Sequence, residues 1–156
     1  MKRTATSLFL GLCLAILAVA TSPAHARSTT AYSAFHVEGP LGSDPYTCLS
    51  ENNGAVVNNC TYAVSLEFNL PIDAKGTKTI TVQDYWTGSD AENTFSCQSF
   101  AYTGSEGSST TGSTIDFSAP LQSKISTVTA STDMSIQLIC WNVPAGGGVA
   151  NLNWTK

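Results

Sequence analysis

Between Asp133 and Val143 the sequence DMSIQLICWNV sets Met134, Ile136, Leu138 and Cys140 alternately with Ser135, Gln137, Ile139 and Trp141. A spacing of two marks a strand with one buried face, because successive side chains of an extended chain leave on opposite sides. Pro144 and the run Gly146-Gly147-Gly148 stop this strand, since proline donates no ladder hydrogen bond and glycine disfavours an extended interior. Cys140 lies at its inward end, placed to be tied to another part of a sheet. No window of the chain shows helical apolar spacing, so helices are limited to single turns.

Other segments repeat the pattern. Cys60, Tyr62, Val64, Leu66, Phe68 and Leu70 share one face of a strand that Pro71 ends, which points Cys60 inward. Ile80 and Val82 share a face in residues 78–86, and Asp84 breaks it; parity places this acid alone near a core face, and it reads otherwise as a strand end in solvent. In residues 94–103, Phe95 and Cys97 fall on one face and Phe100 and Tyr102 on the other. A weak strand covers Ser28 to Val37, with Phe35 and Val37 opposite Tyr32 and His36. Modest strands cover residues 113–118 and 123–130, and Val149 to Trp154 closes the chain. Asn52-Asn53-Gly54 and Asn58-Asn59 read as bends, and Gly104 to Gly112, GSEGSSTTG, as a mobile tip. About eight short strands with frequent turn signals predict a single all-β domain over residues 27–156, an antiparallel β-sandwich. In it Leu138 is expected to pack against Val64, Leu66 and Phe68 across the sandwich.

Residues 1–26 read as a signal peptide: Lys2 and Arg3 begin it, Leu8 to Ala20 is an apolar run too short for a bilayer, and Ala24-His25-Ala26 is a cleavage site. A secreted or periplasmic protein is expected, cleaved after Ala26 and without a membrane span thereafter. Without Lys2 and Arg3, 5 of the 7 basic residues remain against 11 acidic ones, a net charge of −6 with no basic cluster. That balance argues against a nucleic-acid partner or an anionic membrane surface. Past the leader stand Cys48, Cys60, Cys97 and Cys140, none in C-x-x-C spacing. An even number in an exported chain indicates disulfides. Of the three pairings, Cys48–Cys60 with Cys97–Cys140 is favoured. The first closes a short polar loop, ENNGAVVNN, and the second joins two inward strand positions. By loop-closure entropy they contribute about 3 and about 4 kcal/mol.

A cysteine loop before a strand ending in Leu70-Pro71, an aromatic strand around Cys97, and Cys140 followed by proline and glycines together resemble the small secreted, disulfide-stapled β proteins of proteobacteria. The resemblance implies export and a stapled β fold. It brings no activity and no catalytic residues.

Chemistry-bearing residues are sparse. His36 is the one histidine past the leader, no zinc pattern can be built on it, and no G-x-S-x-G elbow is present. A small hydrolase would have to use His36 or Asp84 as its acid or base, and a protein inhibitor would present Gly104 to Gly112. Asp84, Asp90, Glu92 and Asn93 offer oxygen ligands without the spacing of a calcium loop, so no metal and no cofactor is expected. The aromatics carry more. Phe100, Tyr102, Ile139 and Trp141 fall on the faces opposite the cysteines, where an open apolar patch would take a glycan or a partner protein. Trp86, Phe100, Tyr102 and Trp141 are the candidate ligand-binding residues. The reading is an exported, non-catalytic binding or structural accessory of the cell envelope or exterior, its partner a glycan or an envelope protein.

Overall fold

The computed structural model describes residues 26–31, 35–87, 94–103, 108–118, 120–131 and 135–155. Residues 1–25, on which the expected leader falls, Tyr32, Asp90, Glu92, Asn93, residues 104–107 and Met134 lie outside the described residues. Eleven strands are described: β1 (Ala26–Thr30), β2 (Phe35–Glu38), β3 (Leu49–Asn52), β4 (Ala55–Asn58), β5 (Val64–Pro71), β6 (Gly76–Trp86), β7 (Phe95–Thr103), β8 (Ser108–Phe117), β9 (Ser123–Ala130), β10 (Ser135–Val143) and β11 (Gly147–Thr155). They form two antiparallel sheets. One has the order β3-β4-β11-β6-β9, with β1 also paired to β11; the other has the order β2-β5-β10-β7-β8. A short 3-10 turn at Pro45–Thr47 joins the two layers between β2 and β3.

The alternation seen in the sequence builds the core of the five-stranded sheet. Val64, Leu66, Phe68 and Leu70 of β5, Ile136, Leu138 and Cys140 of β10, and Phe95, Cys97 and Ala101 of β7 all point between the sheets and are buried. The six-stranded sheet answers with Ile80, Val82, Val149, Leu152 and Trp154. Both disulfides form as expected, Cys48–Cys60 and Cys97–Cys140. Cys97 and Cys140 are direct cross-strand partners.

Several expectations need correction. Leu138 does not meet β5 across the sandwich: β5 and β10 are neighbours in one sheet, with Leu138 opposite Phe68. All four residues still share one core. The Ser28–Val37 strand is two strands, one in each sheet, because the chain crosses between layers after Ala31. The ENNGAVVNN loop is a hairpin in which Ala55 to Asn58 are buried. Its Asn53-Gly54 turn has φ values of 51° and 85°, the positive pair that a tight hairpin of this twist requires. The run Ser108 to Gly112 belongs to β8 and not to a tip, and the glycine run after Pro144 begins β11. Gly112 is required there, because a Cβ would stand 2.2 Å from Ser99 Oγ and 2.4 Å from Thr127 O.

That tight approach closes one side of the sandwich. Edge strands β8 and β9 belong to different sheets, yet Thr127 N donates to Ser113 Oγ at 2.8 Å and Ser126 Oγ to Ser113 O at 2.6 Å. A buried Ser99–Ser126 hydroxyl pair at 2.7 Å extends the seam inward.

Leu138 is fully buried. Leu138→Ala therefore leaves a cavity, and chemical denaturation should show a loss of about 2–5 kcal/mol. A loss below about 1 kcal/mol would place Leu138 outside the core.

Candidate functional site

The outward positions of β7 and β10 stand on the far side of the sheet from the disulfide. Phe100 and Trp141 are half-buried there, and Tyr102 is 40 % exposed. Register makes their contact informative. Trp141 lies opposite Ser96 and Phe100 opposite Gln137, so four strand residues separate the two rows. At about 3.3 Å per residue that is roughly 13 Å of backbone. The ring centroids are nevertheless 5.8 Å apart, at an interplanar angle of 86°. Both side chains must therefore recline toward each other over the intervening Ile139–Gln98 pair. Tyr102 continues the line, 6.5 Å from Phe100 and tilted by 31°. The result is a strip of three rings running along the strands.

Amides border the strip. Gln98 Nε2 donates to Gly112 O at 3.0 Å, and Gln137 Nε2 to Glu67 Oε2 at 2.8 Å. The alternation of β10 holds as far as Trp141. The irregularity lies just beyond, where Asn142 takes φ 56° and the register against β5 shifts between Cys140 and Val143. A bulge of this kind inserts one extra residue and re-aims the side chains beyond it.

Trp86 is elsewhere. It sits at the end of β6 in the other sheet, packed against Phe95 at 5.8 Å, and donates Nε1–H to Asp84 Oδ2 at 2.8 Å. The structure thus brings Phe100, Tyr102 and Trp141 together and leaves Trp86 apart from them.

Asp84 overturns its reading as a solvent-capped strand end. It continues the inward face of β6 past Ile80 and Val82 and is fully buried. Oδ2 takes the Trp86 hydrogen bond, and among the described residues Oδ1 has no hydrogen-bond partner. Burial raises its pKa above the ordinary value of 3.8, opposed by the Trp86 bond, the main-chain bonds and the charge of Lys124. His36 lies on the outer face of the five-stranded sheet, its Nδ1 2.7 Å from Tyr46 Oη. Sheet and core separate it from Asp84, so the two do not form an acid–base pair. Among the described residues no three metal-ligating side chains cluster.

A second surface has a different character. Ser28, Thr29, Thr30, Gln83, Asn151 and Asn153 line an open cleft of about 530 Å³ on the six-stranded sheet. Its hydroxyls and amides hydrogen-bond, as Asn151 Nδ2 does to Gln83 Oε1 at 3.0 Å. It has no ring on which an apolar ligand face can be buried, and ligand sites draw much of their affinity from such burial.

No family model matches the chain, and no curated protein does. Solved structures do. The xylan-binding module CBM15 matches with TM-score 0.53 and 13% identity, over 84% of this chain and 95% of that one. A family 35 carbohydrate-binding module from Clostridium thermocellum gives 0.52 and 12% identity, over 84% and 98%. CBM35 from Paenibacillus barcinonensis gives 0.51 and 14%, over 83% and 98%. At these identities the likeness shows the fold, a β-sandwich.

Asp84 makes a pH prediction. A carboxyl whose folded pKa is raised holds its proton longer when folded, so stability falls as pH rises past the unfolded value of 3.8 and levels off above the folded one. The cost is about 1.4 kcal/mol for each unit of rise. Asp84→Asn removes the charge, so its stability should match the parent in acid and exceed it at neutral pH. Parallel curves for the two proteins across that range would contradict the assignment.

Proposed function

We propose that this is an exported, non-catalytic glycan-binding module of bacterial type, whose ligand lies along the outer face of the five-stranded sheet over Phe100, Tyr102 and Trp141. The carrying observation is the three-ring strip, with centroids 5.8 and 6.5 Å apart, on strands locked from beneath by a buried disulfide. Rigid rings bury a sugar's apolar face at little entropic cost, and the bordering Gln98 and Gln137 amides offer donors and acceptors to its hydroxyls. The perpendicular setting of Trp141 and Phe100 means that one plane cannot serve both, so the ligand stacks on one ring and meets the edge of the other. The fold supports this reading, since its neighbours include proteins named as carbohydrate-binding modules and one named as xylan-binding.

Export rests on the leader, with Lys2-Arg3, the Leu8–Ala20 run and Ala24-His25-Ala26, and on two disulfides that suit an oxidising compartment.

Titration calorimetry against xylan, glucan and mannan oligosaccharides tests the proposal. Binding to at least one is expected, and Trp141→Ala or Phe100→Ala should weaken it tenfold or more, about 1.4 kcal/mol, with little change in melting temperature. Unchanged affinity in both variants, or hydrolysis of the oligosaccharide by pure protein, would overturn it.

A further inference from the structure

We infer that the glycan on this face is cationic, a chain carrying free amino sugars; the inference rests on the binding face proposed above. Charge selects it. Trp141, Ser96 and Asp116 form one cross-strand row, and Ser96 is small, so the Asp116 carboxylate stands beside the Trp141 end of the strip. On the other flank Glu67 lies opposite Ile139, diagonal to Trp141. The aromatic strip thus runs between two carboxylates.

Each carboxylate is held in place by a neighbour through one oxygen: Ser96 Oγ donates to Asp116 Oδ1 at 2.6 Å, and Gln137 Nε2 to Glu67 Oε2 at 2.8 Å. Among the described residues neither carboxylate forms an ion pair with a lysine or an arginine. Among the described residues the outward positions of the five strands carry Glu38, Glu67 and Asp116 and neither lysine nor arginine. His36, the cross-strand neighbour of Glu67, has its Nδ1 taken by Tyr46. Lys124 reaches the main-chain oxygen of Asp116 from β9 and lies 5.7 Å over the Phe117 ring.

A uronic acid polymer would meet like charge here, and a neutral glycan would gain ring stacking and hydrogen bonds but no charge attraction. The ammonium groups of such a chain gain from whichever carboxylate each one meets and from the ring faces between them. The chain's net charge of −6 past the leader attracts the same polymer at long range.

Matched oligomers of β-1,4-linked glucosamine and N-acetylglucosamine, equal in length, give the test, titrated in mildly acidic buffer where amines are protonated and carboxylates ionised. The glucosamine oligomer should bind about five- to tenfold tighter, and the preference should shrink as salt is added. Glu67→Gln with Asp116→Asn should level the two affinities. Equal binding of both oligomers by the parent protein, or a preference that survives salt and the double substitution, overturns the inference and leaves the glycan face standing. Binding of neither oligomer, nor of any neutral glycan, overturns the face together with the inference.

Discussion

The bond between Cys97 and Cys140 locks the central strands of the five-stranded sheet, β7 and β10, in one register. The two residues are opposed across β7 and β10 and are fully buried. Hydrophobic pattern alone specifies these strands weakly, because both of their faces are apolar: Ile136 and Leu138 lie inward but Ile139 and Trp141 outward, Phe95 inward but Phe100 outward. A slip of one residue would exchange those sets, and either arrangement would bury apolar surface. A covalent link between opposed residues stops one strand from slipping against the other. With both cysteines buried, the three rings fall together on the outer face.

Around that fixed pair the sandwich is closed by polar contacts as much as by apolar ones. On one side Ser113 of β8 bonds to Ser126 and to the Thr127 main-chain N–H of β9, Ser99 of β7 bonds to Ser126, and two edge strands gain partners they would otherwise lack. At one end the stacked rings of Phe95 and Phe117, 4.8 Å apart, pack with Trp86, which in turn holds the buried Asp84. That carboxyl is a local cost. An acceptor buried without a donor destabilises by about 1–3 kcal/mol. On the far side the Cys48–Cys60 bridge ties the base of the β3–β4 hairpin.

Legibility tracked the apolar rhythm. β5, β7 and β10 could be read because each runs along a half-buried sheet position, and the disulfide pairing came from the inward parity of Cys97 and Cys140. β8 could not be read in full. It is an edge strand of serine and threonine whose partners are hydroxyls, so Ser108 to Gly112 looks like a flexible tip. β4 was hidden for the opposite reason, since Ala55 to Asn58 are buried on every side and show no alternation. The burial of Asp84 was half legible: parity put it near a core face, but a carboxylate breaks the apolar pattern there and so reads as a strand end in solvent. Of the four aromatic candidates, parity placed Phe100, Tyr102 and Trp141 on one face, where the structure has them in contact. It had no means of separating Trp86, whose neighbours come from the pairing of distant strands.

The central claim is that a glycan lies over the ring strip and not in the polar cleft of the opposite sheet. Amide and side-chain chemical-shift mapping during titration with the tightest-binding oligosaccharide tests it most directly. The account predicts that the perturbed signals cluster at Gln98, Phe100, Gln137, Ile139 and the Trp141 indole, with Gln83, Asn151 and Asn153 unmoved. Perturbations gathered on Gln83, Asn151 and Asn153, or around Trp86, with the Trp141 indole unchanged, would contradict it.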